Sequence, residues 1–299
     1  MLPRLMDIEI EMQEVITVET IAQNLQLFVA RLDKIHPTVS GNKLFKLHYF
    51  LEMAAAKNKK IITYGGAWSN HLLATAYAAN TYGLQSIGIV RGEQPATESL
   101  TLQGCQHYGM QLQFESRDFY KEHSNIGTHH LIETTDSIII PEGGFHSLGA
   151  KGARLIRDKM NLVPTHVCVA VGTATTLAGL LLAAKGEKVV AFPILKNMHD
   201  IYDRKAILTN NIPLQNLVVN NEEYHFGGYA KHSNKLFDFM NAFYLNHNIP
   251  LDFVYTAKMM YGVIDQLQKG FFPEGSKIIC LHTGGLQGNR SLTPGKLIY

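Results

Sequence analysis

The stretch THVCVAVGTATTLAGLLLAA, residues 165–184, decides the fold. An apolar run rich in valine ends in a glycine and threonine loop, and that loop opens directly into a second apolar run of helical length. A short apolar run bounded by glycine indicates a buried strand, and a strand followed by a helix is the first part of a βαβ unit. The stretch therefore predicts part of a parallel sheet.

The same alternation extends over the rest of the chain. The other strand-like runs are LFVARL (27–32), KIITYG (60–65), SIGIV (86–90), QLQFE (111–115), SIIIPEGG (137–144), KVVAFPIL (188–195), NLVVN (216–220) and KIICLHTGG (277–285). Helical patterns are predicted from Lys43, from Ser69, over Glu98–Tyr108, from Thr175, near Asn234–Leu245 and after Tyr255. Strands that alternate with helices predict an α/β protein with mostly parallel sheets flanked by helices.

Composition narrows the possible partners. Of the 299 residues 46% are hydrophobic and 17% are charged, the formal net charge is +2, and lysine and arginine form no cluster interleaved with aromatics. Nucleic acid and anionic membrane are therefore not expected as partners. The segment MLPRLMDIEIEMQEV lacks the apolar core of a secretory signal, and no apolar run reaches the ~18 residues of a membrane helix. The three separated cysteines are expected to be buried in a reducing cytoplasm, and no histidine pattern predicts a metal site.

Four glycine loops follow predicted strands, at residues 65–70, 141–144, 172–176 and 283–285. In open parallel sheets, ligands bind beyond the carboxyl ends of the strands, where such loops meet helix starts. Gly172, Thr173, Ala174, Thr175 and Thr176 offer amides, hydroxyls and a helix dipole to a phosphate, although ordinary capping by one threonine also explains the pattern. Neither a P-loop nor a dinucleotide fingerprint is present.

Lys43 follows Ser40-Gly41-Asn42 and enters a helix. A lysine there is ordinarily solvated, but the positive field of a helix start can lower its pKa and make the amine a nucleophile. Ser69, Asn70 and His71 stand at the next helix start, where they either cap the helix or bind a carboxylate. The residue types alone do not decide between capping the helix and binding a carboxylate.

Several of these segments together resemble the 1-aminocyclopropane-1-carboxylate deaminase/D-cysteine desulfhydrase family. The matching segments are GNKLFKLHY (41–49), GGAWSNH (65–71), PEGGFHSLGAKG (141–152), GTATTLAGL (172–180), VYTAKMMYGVID (254–265) and HTGG (282–285). The resemblance implies a fold-type-II, tryptophan-synthase-β-like enzyme with pyridoxal 5'-phosphate between two domains. The larger domain would comprise residues 1–45 and 151–299, the smaller residues 46–150, and the enzyme would be a homodimer in the cytoplasm.

The resemblance also implies a role for each matched residue. Lys43 would carry the cofactor as a Schiff base and then act as acid and base. Gly172 through Thr176 would hold the phosphate, Asn70 would contact the ring hydroxyl, and Thr283 would face the pyridine nitrogen. Ser69, with Asn70 and His71, would bind the carboxylate of a small amino-acid substrate. Ser69 would also take part in catalysis, and Tyr255 would be a further catalytic group over the site.

Two chemistries occur in the family that the chain resembles. The desulfhydrase branch eliminates sulfide from D-cysteine and yields pyruvate and ammonia; the deaminase branch opens a cyclopropane ring and yields 2-oxobutyrate and ammonia. The deaminase branch has glutamate after the site tyrosine and leucine before the last Gly-Gly, whereas this chain has Thr256 and Thr283. The residues therefore favour elimination. The alternatives are the deaminase and a non-catalytic protein that only binds the cofactor, because Trp68 replaces the usual glutamine and no tyrosine follows Gly285 closely.

Overall fold

The computed structural model describes residues 5–124, 133–220 and 222–299, and it contains the predicted alternation of strands and helices. The strands are β1 (Met12–Glu14), β2 (Gln26–Ala30), β3 (Lys60–Gly65), β4 (Ser86–Arg91), β5 (Met110–Glu115), β6 (Ser137–Ile140), β7 (His166–Val171), β8 (Lys188–Pro193), β9 (Leu217–Val219) and β10 (Lys277–Leu281). The helices are α1 (Val18–Ala22), α2 (Lys43–Ala56), α3 (Asn70–Thr81), α4 (Leu100–His107), α5 (Arg117–His123), α6 (Ser147–Asp158), α7 (Thr175–Ala183), α8 (Ile201–Leu208), α9 (Asn234–His247) and α10 (Thr256–Gln268).

These strands form two sheets. A 6-stranded sheet has the order β1-β2-β10-β7-β8-β9, and a 4-stranded sheet has the order β5-β4-β3-β6. All pairings inside them are parallel except that of β1 with β2. The mostly parallel α/β prediction is confirmed. The antiparallel β1 was not predicted, because three residues (MQE) are too short to show a strand period.

The residues of the 4-stranded sheet all lie between 60 and 140, and those of the 6-stranded sheet lie outside that range. The predicted division at residues 45/46 and 150/151 follows the same grouping and stays a prediction, since both boundaries fall inside helices, α2 and α6. These two helices pack closely: a Cβ on Gly152 would lie 2.0 Å from the Phe45 carbonyl oxygen, so glycine is required at that contact.

The described residues contain neither a membrane-spanning helix nor a cluster of metal ligands. None of the helices in this part of the chain is long and apolar enough to cross a membrane. Within the same residues, no group of three or more histidine, cysteine, aspartate or glutamate side chains could hold a metal ion. The expected absence of a metal stays a prediction.

Candidate active site

Lys43 is the first residue of α2, and its turn is pressed against the loop that follows β10. Gly41 has a left-handed φ of 68°, and a Cβ there would lie 1.9 Å from the Thr283 carbonyl oxygen. The Asn42 amide donates a hydrogen bond to that same oxygen at 3.2 Å. Only glycine allows this approach, so the Gly41 turn places Lys43 and Thr283 at one point between the two sheets.

The Lys43 amine is partly deprotonated near neutral pH. Its Nζ donates to Asn42 Oδ1 at 2.6 Å. Burial lowers the pKa of Lys43 to about 8, and the Asp252 carboxylate opposes that shift. Burial removes water from the ammonium group, and a distant carboxylate compensates this loss only in part. The fraction of the neutral amine therefore increases. The amine is therefore suited to attack a carbonyl carbon.

A second buried lysine, Lys46, lies one turn further along α2. It is 4% exposed, and among the described residues no carboxylate oxygen lies within 4 Å of its Nζ. Burial and the nearby Lys43 hold the pKa of Lys46 well below its usual range. Two neighbouring amines with no carboxylate oxygen within 4 Å favour an anionic ligand. Sequence reasoning did not assign a role to Lys46, although the three-residue spacing from Lys43 in GNKLFK places both lysines on one helix face.

The Gly172 loop begins α7 without a cap. No side chain caps the helix, whose N-cap residue Ala174 has a left-handed φ of 66°. The threonines bond elsewhere: Thr173 Oγ1 to Thr175 Oγ1 at 3.0 Å, and Thr176 Oγ1 accepts from Asn42 Nδ2 at 2.8 Å. The capping alternative is thereby excluded, and the free amides of a helix start remain available to an anion.

The loop after β6 contacts both Lys46 and the Gly172 loop. A Cβ on Gly143 would lie 2.8 Å from Thr173 Cγ2, and a Cβ on Gly144 would lie 3.4 Å from Lys46 Cε. Both glycines have left-handed φ angles, 62° and 71°. The Gly143-Gly144 backbone thus contacts both groups and holds the Lys46 amine near an uncapped helix start.

Ser69, Asn70 and His71 begin α3 on the other side of the crevice. Ser69 Oγ accepts from the Leu72 amide at 3.3 Å, so it caps the helix. Asn70 Oδ1 is buried without a hydrogen-bond partner, and Asn70 Nδ2 lies 3.0 Å from the position of a Cβ on Gly285. The amide of Asn70 is therefore placed near the Thr283 loop with an unused acceptor, which a ligand can satisfy.

His71 is a neutral imidazole inside the site. Its Nε2 lies 2.9 Å from Thr63 Oγ1, and that hydroxyl donates to the Ile140 carbonyl at 2.8 Å. The hydroxyl proton is thus already used, so Nε2 is the donor and Nδ1 carries a lone pair, which is buried without a partner. Burial, then Lys46 and Lys43, hold the pKa of His71 well below its usual range.

Tyr255 lies over the Gly172 loop. A Cβ on Gly172 would be 3.1 Å from Tyr255 Cε1. Asp252 fixes this position, because its Oδ2 accepts from the Tyr255 amide at 2.9 Å and from the Val254 amide at 3.0 Å. Its Oδ1 accepts from the Thr256 amide at 2.9 Å and the Thr256 hydroxyl at 2.7 Å. The Thr256 side chain is therefore directed to Asp252.

A second tyrosine stands beside the first. The rings of Tyr229 and Tyr255 are 6.2 Å apart, edge to face. Burial raises the pKa of Tyr255 well above its usual range, and Tyr229 and Asp252 add to the shift. Sequence reasoning missed both Tyr229 and Asp252. The only signal for Asp252 was an acidic residue just before a predicted helix start, and Tyr229 lies in a loop without a motif.

The structure thus brings together the predicted residues Lys43, Asn70, His71, Tyr255, Thr283 and the Gly172–Thr176 loop, with Ser69 at the adjoining helix start. Their individual roles toward ligands stay predictions. Lys46, Tyr229 and Asp252 join the set.

Comparison with known proteins agrees with this arrangement. Residues 8–284 match the sequence model of a family described as "Pyridoxal-phosphate dependent enzyme". A bifunctional D-cysteine desulfhydrase/1-aminocyclopropane-1-carboxylate deaminase, mitochondrial, of Arabidopsis thaliana is 31% identical over 297 residues, covering 88% of this chain and 73% of the relative.

Solved structures give the same picture. A crystal structure of an ACC deaminase homologue superposes with a TM-score of 0.75 at 25% identity and covers 96% of this chain and 92% of its own. A fungal L-serine ammonia-lyase from Rhizomucor miehei has a TM-score of 0.64 at 14% identity, with 95% of this chain and 98% of its own covered. The second likeness shows a shared fold.

Proposed function

Because the chain belongs to the family of pyridoxal-phosphate dependent enzymes, we propose that it catalyses β-elimination from a small D-amino acid such as D-cysteine. The products would be pyruvate, sulfide and ammonia, with one water consumed. The observation that carries the proposal is the partly buried Lys43 amine, whose pKa is lowered to about 8 by loss of hydration, in a turn that contacts the Thr283 loop. A partly neutral lysine can attack the carbonyl of the cofactor.

Three features of the site fit pyridoxal phosphate. The uncapped start of α7 and the uncompensated Lys46 suit the phosphate, which carries negative charge and several acceptors. The Asn70 amide, with its unpaired Oδ1, suits the ring hydroxyl. Thr283 would face the ring nitrogen, where a hydroxyl does not enforce protonation. When bound, the cofactor withdraws electrons from the substrate's Cα.

Other side chains of the site would bind the substrate and transfer protons. Ser69 and the amides at the start of α3 would bind the substrate carboxylate, since a helix start favours an anion. The Lys43 amine would take the proton from Cα. Tyr255, whose pKa is raised by burial and by Tyr229, stays protonated and would hold a proton over the Gly172 loop.

A second candidate is 1-aminocyclopropane-1-carboxylate deaminase, giving 2-oxobutyrate and ammonia. The name of the solved homologue favours it, and the name of the Arabidopsis relative includes both activities. Thr256 and Thr283 favour elimination instead, because the deaminase branch has glutamate and leucine there. The Thr256 hydroxyl donates a hydrogen bond to Asp252. Thr256 therefore does not supply the acidic group that the glutamate supplies in the deaminase branch.

We also propose the setting of the reaction. The partner is a small amino acid, and neither nucleic acid nor a membrane is expected to bind. The enzyme would act in the cytoplasm as a homodimer. Exposed aliphatic side chains support a protein contact: Ile16, Val18 and Ile21 are 61%, 80% and 73% exposed.

The test uses the purified protein loaded with pyridoxal phosphate. D-cysteine, L-cysteine and 1-aminocyclopropane-1-carboxylate are supplied separately, and 2-oxo acid and sulfide are measured, with Lys43→Ala as the control. Pyruvate and sulfide from D-cysteine, absent in the variant, are expected. 2-Oxobutyrate from the cyclopropane alone would select the deaminase, and no turnover of any amino acid would leave a cofactor-binding protein.

A further inference from the structure

His282 is a buried titratable residue to which the proposed reaction gives no part. It directly precedes Thr283, and its side chain is 0% exposed. Its Nε2 lies 2.7 Å from the Pro250 carbonyl oxygen, and its Nδ1 lies 3.3 Å from the Gly284 amide nitrogen. The main-chain amide of His282 donates to the Ala30 carbonyl at 3.0 Å. The residue thus joins the end of β2, the loop after β10 and the segment before α10.

A buried ion pair beside His282 bears on where the imidazole carries its hydrogen. Asp33 Oδ1 lies 3.4 Å from His282 Nδ1. Arg31 already donates to both oxygens of that carboxylate, from Nε at 2.9 Å and from Nη2 at 2.7 Å, so Asp33 is compensated without a charge on His282. A carbonyl only accepts and an amide nitrogen only donates. A neutral imidazole with its hydrogen on Nε2 therefore satisfies the Pro250 carbonyl and the Gly284 amide together.

The loop after β10 packs on the turn of Lys43. A Cβ on Gly284 would lie 2.9 Å from Gly41 Cα, so the two backbones meet without room for a side chain. The Gly41 amide also donates to the Leu32 carbonyl at 2.8 Å, and Leu32 belongs to the segment of the buried ion pair. The turn is therefore held both by the loop that His282 bonds and by the segment of the ion pair.

The same loop also contacts the segments that carry two other groups of the site. A Cβ on Gly285 would lie 3.0 Å from Asn70 Nδ2 and 3.1 Å from Asp252 Cγ. The Pro250 carbonyl, which His282 bonds, stands two residues before Asp252. A change at His282 would therefore act on the lysine turn and on these two contacts through one loop.

We propose that His282 is a positioning residue, which sets the Thr283 loop against the Lys43 turn. The inference rests on the proposed function, because Lys43 and Thr283 would contact the cofactor at its carbonyl and at its ring nitrogen. The pyridine ring is rigid, so a displaced loop should lower both the affinity for the cofactor and the rate of its attachment. His282 itself would touch neither the cofactor nor the substrate.

The test measures cofactor binding and attachment separately from turnover. Each apoprotein is mixed with pyridoxal phosphate; fluorescence gives the dissociation constant, and stopped-flow absorbance gives the rate of attachment to Lys43. The wild-type chain is compared with His282→Asn, His282→Gln and His282→Leu. Asparagine keeps an acceptor near the position of Nδ1, glutamine keeps a donor near that of Nε2, and leucine keeps neither.

Glu187→Gln is the matched control, because Glu187 is also buried and also accepts from a main-chain amide, that of Lys185 at 2.8 Å. It precedes β8, at the opposite end of that strand from the cofactor loops. Urea unfolding of each apoprotein records the loss of stability. A purely structural role of His282 would lower the urea midpoint and leave affinity and attachment rate unchanged.

We expect His282→Leu to lose about tenfold in both affinity and attachment rate, since hydrogen bonds contribute about 1 kcal/mol each. His282→Asn should restore most of both values, because it keeps the acceptor for the Gly284 amide. His282→Gln should restore less. Glu187→Gln should be destabilised as well but should bind and attach the cofactor as the wild type does.

Several outcomes would overturn the inference. One is a destabilised His282→Leu with normal affinity and attachment rate, and another is equal weakening in Glu187→Gln. If the leucine variant does not fold, equal values for the wild type, the asparagine variant and the glutamine variant would overturn it. In these cases the proposed function stands, because the wild type binds the cofactor. A wild-type chain that binds no pyridoxal phosphate would overturn the proposed function together with the inference.

Discussion

The two halves of the crevice are built differently. On the side of the 6-stranded sheet, the threonine hydroxyls of the Gly172 loop already have partners: Thr173 Oγ1 pairs with Thr175 Oγ1 at 3.0 Å, and Thr176 Oγ1 accepts from Asn42 Nδ2 at 2.8 Å. On the side of the 4-stranded sheet, Asn70 Oδ1 and His71 Nδ1 are buried without a hydrogen-bond partner, and Trp68 is 38% exposed. The first side, the cofactor half, therefore offers a ligand its free backbone amides, whereas the second side offers unpaired polar side-chain atoms.

The largest expected effect is on the cofactor half. Lys46→Met should weaken pyridoxal-phosphate binding by about 10- to 100-fold, because a hydrogen bond to a charged group contributes about 1.5–3 kcal/mol. Fluorescence titration of the apoprotein measures the dissociation constant. Lys57→Met, at the exposed end of the same helix, is the control and should bind normally. Unchanged affinity in Lys46→Met would remove Lys46 from the phosphate site.

Asp252 positions Tyr255 over the Gly172 loop, on the cofactor half. Asp252→Asn replaces an acceptor by a donor that faces backbone amides, and we expect a loss of about 2–3 kcal/mol in unfolding free energy. Urea unfolding of the apoprotein gives this value. Asp136→Asn should leave the unfolding free energy nearly unchanged, because that surface pair with Lys60 is solvated. Equal losses in both variants would refute the positioning role.

The pH dependence of cofactor attachment sharpens the comparison further. The neutral amine is the nucleophile, so the attachment rate should rise about tenfold per pH unit below the Lys43 pKa of about 8 and level off above it. Stopped-flow absorbance between about pH 6.5 and 9.5 follows the reaction. Free lysine, with an ordinary pKa of about 10.4, is the reference. A rate that keeps rising in parallel with free lysine would mean that Lys43 is solvated.

The smallest effect concerns backbone strain in the Gly172 loop. Ala174 has a left-handed φ of 66°, which costs a residue with a Cβ about 1–2 kcal/mol. Ala174→Gly should therefore stabilise the protein by up to about 1 kcal/mol, after allowance for the entropy of glycine in the unfolded chain. Ala178→Gly, inside α7, should destabilise it by about 1 kcal/mol or more. Thermal unfolding of both variants tests whether the two signs are opposite.

The fold could be predicted from the sequence more completely than the site. Alternating runs located nearly every long strand and helix, because buried parallel strands and glycine loops leave strong local patterns. Lys43 and the Gly172 loop had such patterns as well. Tyr229 did not, because it reaches Tyr255 only through tertiary packing of a loop. Nor could sequence show that Thr173 and Thr176 bond other side chains and leave α7 uncapped.

The most direct measurement locates the covalent cofactor. The holoprotein is reduced with borohydride and digested, and the peptides are analysed by mass spectrometry. Two buried lysines compete with the partly buried Lys43: Lys46 and Lys258, the second of which donates to the Gly228 carbonyl at 2.6 Å. We expect the phosphopyridoxyl mass on Lys43 alone, and its loss in Lys43→Ala. The label on Lys46 or Lys258, or on no lysine, would contradict the central claim.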